Sequence, residues 1–351
     1  MKAKIAFLYG PKDLRVEEVE LPVLKPNQVL IKTGACGICG SDVECFEGLS
    51  AEGRYDIAPY TPGHEWAGQI VEVGSTVKDF KPGMKVTGDC VMACGKCANC
   101  KNGLMPSACL EMRELGFRPD SPGAMGEYLI LEEEYTHRIP DDWSYEMGAW
   151  VETFSVGYWG IWGNGGYVDA SDDVVVIGAG PIGISAAITA KASNAKVIVV
   201  EPLKSRRDTI LNYGADVTVD PTTCDVVEAI NELTEGRGAS VIVECSGNDK
   251  GIASVFDIAG HSCRVGFVGH SIGRKVSAEL GKIIWKTMRM TGAGGTKTFL
   301  PRTIKFLSRI KDKYDFDALN THYFKFQDLH KAFDVACHDK ENARKVMLTF
   351  D

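Results

Sequence analysis

Four cysteines crowd one short stretch of the chain, in the run Cys94-Gly-Lys-Cys97-Ala-Asn-Cys100 followed by Cys109. Thiolates at this spacing close a tetrahedral zinc site with no open position, which stabilises a loop having little core of its own. The expectation is a structural zinc. An iron–sulfur cluster uses the same residue type, but nothing else in the chain supplies an electron-transfer context. Cys90, close by, reads as an ordinary strand residue.

A second set reads as catalytic chemistry. A working zinc takes about three protein ligands and leaves one position for water or substrate. The candidates are Cys39, in Cys36-Gly-Ile-Cys39-Gly-Ser-Asp42, the adjacent pair His64-Glu65 in Pro62-Gly-His-Glu-Trp66, and Glu152 in Trp150-Val-Glu-Thr153. One thiolate, one imidazole and one carboxylate make a nearly neutral, borderline-soft site. Each residue alone says little, since a lone cysteine is usually a small buried hydrophobe.

The third signal is Gly178-Ala-Gly180-Pro181-Ile182-Gly183, which follows an expected strand and opens an expected helix, the context that makes such a run specific for dinucleotides. Gly178 allows the tight turn, Gly180 lets the backbone approach a pyrophosphate, and Gly183 lets helix and strand pack closely. The helix start favours the phosphates. About 20 residues on, Glu201 ends the next strand, where a carboxylate accepts from ribose hydroxyls and repels a 2′-phosphate. NAD is therefore expected over NADP, with Arg206 and Arg207 as the residues that would hold such a phosphate if Glu201 turned away.

The elements that must position these residues differ between the two parts of the chain. Up to about Glu152 there are short β-rich runs divided by Pro and Gly turns, the pattern of a barrel or sandwich. A Trp- and Gly-rich segment at residues 154–166 follows. Strands then alternate with helices: residues 173–177, a helix at 182–192, and strands at 195–200, 217–219, 239–244, 262–268 and 288–291. This is an α/β, doubly wound parallel sheet. A helix at 300–310 and a strand at 345–350 remain, expected to return to the first domain. The domain expectation is thus 1–154, 155–295 and 296–351, and the length suits two domains with a cleft between them.

Composition excludes several classes. Formal net charge is −8 and no basic stripe is present, so nucleic acid is not an expected partner. The longest apolar stretch, residues 174–190, carries Gly178, Gly180, Pro181 and Gly183, which suits a buried strand, turn and helix better than a membrane span. Twelve cysteines with no secretory start argue for thiols and metal ligands in a cytoplasmic protein.

In their order along the chain, these motifs resemble the zinc-containing medium-chain dehydrogenases. Residues 37–42, with Cys39, look like that family's first catalytic ligand, and Gly63-His-Glu65 like its second ligand with an adjoining acid. The resemblance implies a GroES-like catalytic domain and a Rossmann domain. It also implies two zincs per chain, and Cys39, His64 and either Glu65 or Glu152 on the catalytic metal. By position and resemblance, Ser246, Val268, Gly269 and His270 line the nicotinamide end; the turn at residues 291–295 reads as a further contact or as plain loop.

Within the family the polyol and cyclitol branch, with sorbitol, threonine and 2-deoxy-scyllo-inosamine dehydrogenases, looks most similar, carried by residues 62–66, 114–117 and 334–336. Three departures stand out: one extra residue between Cys100 and Cys109, Thr153 where proline is usual, and Glu44 where many members place a relay histidine. The implied chemistry is NAD-linked interconversion of a secondary alcohol and its ketone on a small polar polyhydroxylated substrate, with L-threonine or an open-chain polyol as alternatives. Ser41 is the expected proton acceptor, against a plain role as turn or helix cap. Glu65 and Glu152, with Phe117 and Trp66 as walls, would meet the substrate. A homodimer or homotetramer is the implied assembly.

Overall fold

The computed structural model describes residues 1–49, 58–163, 167–269, 275–292 and 299–350. His270 and residues 293–295, named above, lie outside them, as do residues 164–166. The chain divides into two units, one formed by Met1–Glu152 with Gly294–Asp351 and the other by Thr153–Ala293.

The first unit begins with a hairpin of β1 (Lys2–Gly10) and β2 (Asp13–Glu20), then β3 (Gln28–Ile38), a helix at Gly40–Glu47, β4 (Glu65–Val73) and β5 (Lys85–Gly88). Two short strands, β6 (Val91–Met92) and β7 (Arg113–Glu114), pair across the cysteine-rich loop, followed by β8 (Tyr128–Glu132) and β9 (Thr136–Arg138). The long β3 organises the main sheet. Its first half pairs with β8, its second half with the late strand at Val346–Thr349, and β4 runs antiparallel along its other edge. Tyr60, Trp66, Met125, Leu131 and Phe333 fill the core beneath.

The second unit is a six-stranded sheet of β10 (Asp173–Ile177), β11 (Lys196–Val200), β12 (Val217–Val219), β13 (Ala239–Glu244), β14 (Ala259–Phe267) and β15 (Arg289–Gly292), in the order β12-β11-β10-β13-β14-β15. Every pairing in it is parallel. Val174, Val175 and Val176 are wholly buried, the continuous apolar run that a strand covered on both faces requires. The order reverses direction between β10 and β13, and ligands of such sheets bind outside the carboxyl ends of the strands at that reversal. After a helix at Leu300–Ile310, β16 (His322–Lys325) and β17 (Val346–Thr349) belong to the first unit's sheet. No helix among the described residues is long and apolar enough to cross a membrane.

Candidate active site

The end of β3 and the start of β4 lie side by side, with Gly37 opposite Glu65 in the antiparallel register. Cys39 follows β3 directly and His64 precedes β4 directly, so Cys39 meets the adjacent pair His64-Glu65 at one end of the sheet. The sulfur of Cys39, a ring nitrogen of His64 and a carboxylate oxygen of Glu65 all lie within 4.8 Å of one another. Glu152 is not in that group, although it is buried and its charge acts on both His64 and Glu65.

Asp42 ties the two loops together. Its carboxylate accepts the backbone N–H of Cys39 at 2.9 Å and that of Gly63, and its Oδ1 stands 3.8 Å from His64 Nδ1. Burial pushes the Cys39 thiol and the Asp42 carboxyl up, and raises Glu152 to about 7. Burial pulls His64 down, but Asp42 and Cys39 outweigh it and leave the imidazole well above its ordinary value. So many acidic groups in so little water call for a cation. A thiolate, an imidazole and a carboxylate are the donor set of an open zinc site.

Other expected site residues fall differently. Ser41 sits in the first turn of the helix at Gly40–Glu47, whose N-cap is Cys39, so Ser41 is not the cap. Phe117 is buried with its ring 5.0 Å from that of His64, and it can wall the site. Trp66 cannot. It is wholly enclosed in the core, because successive side chains of β4 point to opposite faces and Glu65 takes the face toward His64.

The four-cysteine loop closes on itself. The sulfur of Cys97 is 3.5 Å from that of Cys100 and 4.0 Å from that of Cys109, and all four sulfurs lie within 4.8 Å of one another. A zinc tetrathiolate with Zn–S near 2.3 Å has sulfur–sulfur edges of about 3.8 Å, so the loop fits the ion. Backbone N–H groups of Cys94 and Glu111 donate to Cys109, and that of Cys97 donates to Cys94. N–H groups of Cys100 and Leu110 hold the Cys97 thiol below its ordinary value. A short 3-10 turn at Pro106–Ala108 leads the chain into Cys109.

The glycine turn sits at the carboxyl end of β10, where the strand order reverses. Gly178 has φ of +95°, and a Cβ on Gly183 would stand 1.9 Å from the Gly178 carbonyl oxygen, so both glycines are required by the backbone alone. Gly180 is different. A Cβ there would meet only Arg206 Nη1, at 4.0 Å, leaving open space above the start of the helix at Pro181–Lys191. Glu201 accepts the N–H of Ala179 at 2.7 Å and that of Leu203 at 3.0 Å. Arg207 is engaged with Asp220 at 2.7 Å and with backbone carbonyls of Glu201 and Pro202; Arg206 is the one beside the turn.

Comparison with known proteins agrees with this geometry. The alcohol dehydrogenase GroES-like domain matches residues 25–141, and the zinc-binding dehydrogenase domain matches residues 181–309. The chain belongs to the zinc-dependent medium-chain dehydrogenase/reductase family. A scyllo-inosose 3-dehydrogenase of Thermotoga maritima is 37% identical over 254 residues, which cover 67% of this chain and 64% of that protein. A sorbitol dehydrogenase of Bacillus subtilis is 28% identical over 98% of this chain and 96% of its own. A crystal structure of an Escherichia coli oxidoreductase of unknown specificity superposes with a TM-score of 0.93 at 27% identity, over 100% of both chains.

This medium-chain dehydrogenase also carries a site residue that its motifs do not announce. Lys345, just before β17, forms a buried ion pair with Glu65 Oε2, 280 residues away in sequence, and lies 5.5 Å from the centre of the Trp150 ring. The pair crosses β3 above Gly37, where a Cβ would stand 2.5 Å from Glu65 Oε2 and 3.4 Å from Lys345 Cδ. Burial lowers the lysine, but Glu65, Cys39 and Glu152 together outweigh it and hold the ammonium above its ordinary value. Removing one partner of a buried pair strands the other. Lys345→Met is therefore expected to cost about 3 kcal/mol of stability in the metal-free protein, where no ion shares Glu65, seen as a lower Tm. In the same metal-free protein, adding Glu65→Gln should recover part of the loss; an unchanged Tm in the single variant would show that the pair contributes nothing.

Proposed function

We propose that this dehydrogenase interconverts a secondary alcohol and its ketone on a polyol, sugar or (amino)cyclitol, with NAD as hydride acceptor. The observation that carries the reading is the meeting of Cys39, His64 and Glu65 within 4.8 Å at one end of the main sheet. Those three residues would hold the catalytic zinc, and Cys94, Cys97, Cys100 and Cys109 a second, structural one. When bound, the catalytic ion acts as a Lewis acid that lowers the pKa of the alcohol hydroxyl.

The chain's own residues do the rest. Asp42 fixes the Cys39 and His64 loops in register. Ser41 Oγ would take the alcohol proton and release it toward solvent, and a nicotinamide dinucleotide held at the glycine turn would supply the acceptor for the carbon-bound hydrogen as hydride. Glu152, buried beside the ligands, would serve as a hydrogen-bonding group for a polar substrate. The open space at Gly180 receives the pyrophosphate, with Pro181 and Ile182 opening the helix above it. Glu201 accepts from the adenosine ribose and disfavours a 2′-phosphate. Ser246, Val268 and Gly269 face the nicotinamide half. The mixture of buried carboxylates with the Phe117 ring suits a polyhydroxylated ring, and similarity to a scyllo-inosose 3-dehydrogenase supports a cyclitol.

The test is NADH formation by zinc-loaded protein against inositols, aminocyclitols, hexitols and L-threonine, with NADP as control. Turnover of one cyclitol with NAD is the expected result. Turnover of threonine or a hexitol alone would move the assignment, and silence across the panel from protein holding two zincs would sink it.

A further inference from the structure

Glu244 ends β13 and is wholly buried, yet it takes no part in the chemistry above. Its Oε1 accepts the Ser246 hydroxyl, the Ser246 N–H at 2.9 Å and the Gly247 N–H at 3.1 Å, and its Oε2 accepts the Gly247 N–H at 3.2 Å. Its backbone carbonyl accepts two more donors, the N–H groups of Val268 and Gly269, each at 2.8 Å. One residue thus ties the turn after β13 to the turn after β14.

The same knot reaches the glycine turn. A Cβ on Gly178 would lie 3.1 Å from Ser246 Cβ, and the Cys245 N–H donates to the carbonyl of Ile177, the last residue of β10. On the far side, a Cβ on Gly269 would stand 2.5 Å from Glu244 Oε2 and 2.3 Å from the Gly247 nitrogen, so the two turns touch with no room for a side chain. Three turns at the carboxyl edge of the sheet thus meet at Glu244: its carboxylate shapes the turn after β13, its carbonyl holds the turn after β14, and its neighbour Cys245 bonds the end of β10.

That carboxylate faces no lysine, arginine or histidine among the described residues. Only hydrogen bonds to Ser246 and Gly247 oppose the cost of its burial. The strand order sets what lies above it. With the pyrophosphate at the β10 turn and the adenosine ribose at Glu201 on the β11 side, the second half of the dinucleotide lies on the β13 and β14 side.

We propose that Glu244 is the positioning residue of the dinucleotide site, joining the turns after β13 and β14 against the glycine turn of β10 and giving the rim they form a negative charge that favours the oxidised, cationic nicotinamide over the reduced, neutral one. The proposal rests on the dinucleotide reading of the preceding section. A carboxylate buried among backbone dipoles is poorly screened, so its charge is felt across several ångströms.

The test uses zinc-loaded full-length protein and measures Kd for NAD and for NADH separately, by calorimetry and by nicotinamide fluorescence, alongside Tm. Glu244→Gln keeps the shape and removes the charge; it is expected to weaken NAD about ten-fold while weakening NADH only about two- to three-fold. Ser246→Ala keeps the charge and loses one tie, and should weaken both forms by the same factor. Equal losses of NAD and NADH affinity in Glu244→Gln, or none, would overturn the charge assignment, whatever happens to Tm. If Glu244→Gln does not fold, Ser246→Ala decides alone: unchanged affinity for both forms overturns the positioning role. Parent protein that binds neither dinucleotide would overturn the functional reading as well, whereas parent protein that binds both and a variant ratio that stays put would overturn this inference only.

Discussion

Cys39→Ala is expected to lower kcat/KM for the alcohol by three orders of magnitude or more, which is about 4 kcal/mol of transition-state stabilisation. Cys36 is buried in the core beneath β3, so its thiol is not available to replace the ligand. The loss should be specific. One zinc of two should leave, NAD affinity should hold, and Tm should move little, because the four-cysteine loop and both hydrophobic cores are untouched. Metal analysis and dinucleotide titration on the same preparation check this. Retained turnover with one zinc gone would remove Cys39 from the chemistry.

Cys100→Ser is the second large effect, and its character is opposite. The cysteine-rich loop has little core: Leu104 and Leu110 are exposed, and its ends are anchored by the short β6–β7 pair and the Tyr135 hydroxyl on the Ala93 carbonyl. In closed thiolate sites metal-binding energy is folding energy, of order 10 kcal/mol in small zinc modules. Losing one of four ligands should release that zinc and let residues 94–110 open, read as rapid proteolysis inside the loop and a Tm lower by several degrees. Alcohol oxidation by the protein that stays folded should continue. A loop as protease-resistant as the parent's, with one zinc missing, would mean that the metal is dispensable for its structure.

Much of this was legible from residue types and spacing. The cysteine run, the glycine turn and the helix at Leu300–Ile310 are local patterns, and local patterns need no knowledge of what packs where. What could not be read is what depends on register. Nothing in the neighbourhood of Lys345 announces that it will stand over Gly37 beside Glu65, because that follows from β3 being flanked by β4 on one edge and β17 on the other. Trp66 was misplaced for the same reason: one step along β4 turns a side chain from the site to the core. The pairing that sets Glu65 opposite Gly37, and so groups it with Cys39 and His64, is likewise invisible in any local pattern. Asp42 had a readable signal, since an acid three residues after Cys39 can reach back to its backbone N–H, as it does here. Glu244 had none beyond being an acid at the end of an apolar strand.

The Glu65–Lys345 pair has a consequence for how the protein is made. Cys39, His64 and Glu65 emerge from the ribosome together, early, while the lysine that balances Glu65 and the strand that covers β3's second edge are 280 residues further on. At about 5–20 residues per second, the nascent centre waits some tens of seconds with its acid uncompensated and its sheet edge bare. The native form of the centre is therefore completed late in translation, and factors that shield bare sheet edges or deliver metal to new chains would meet this one before residue 345 exists.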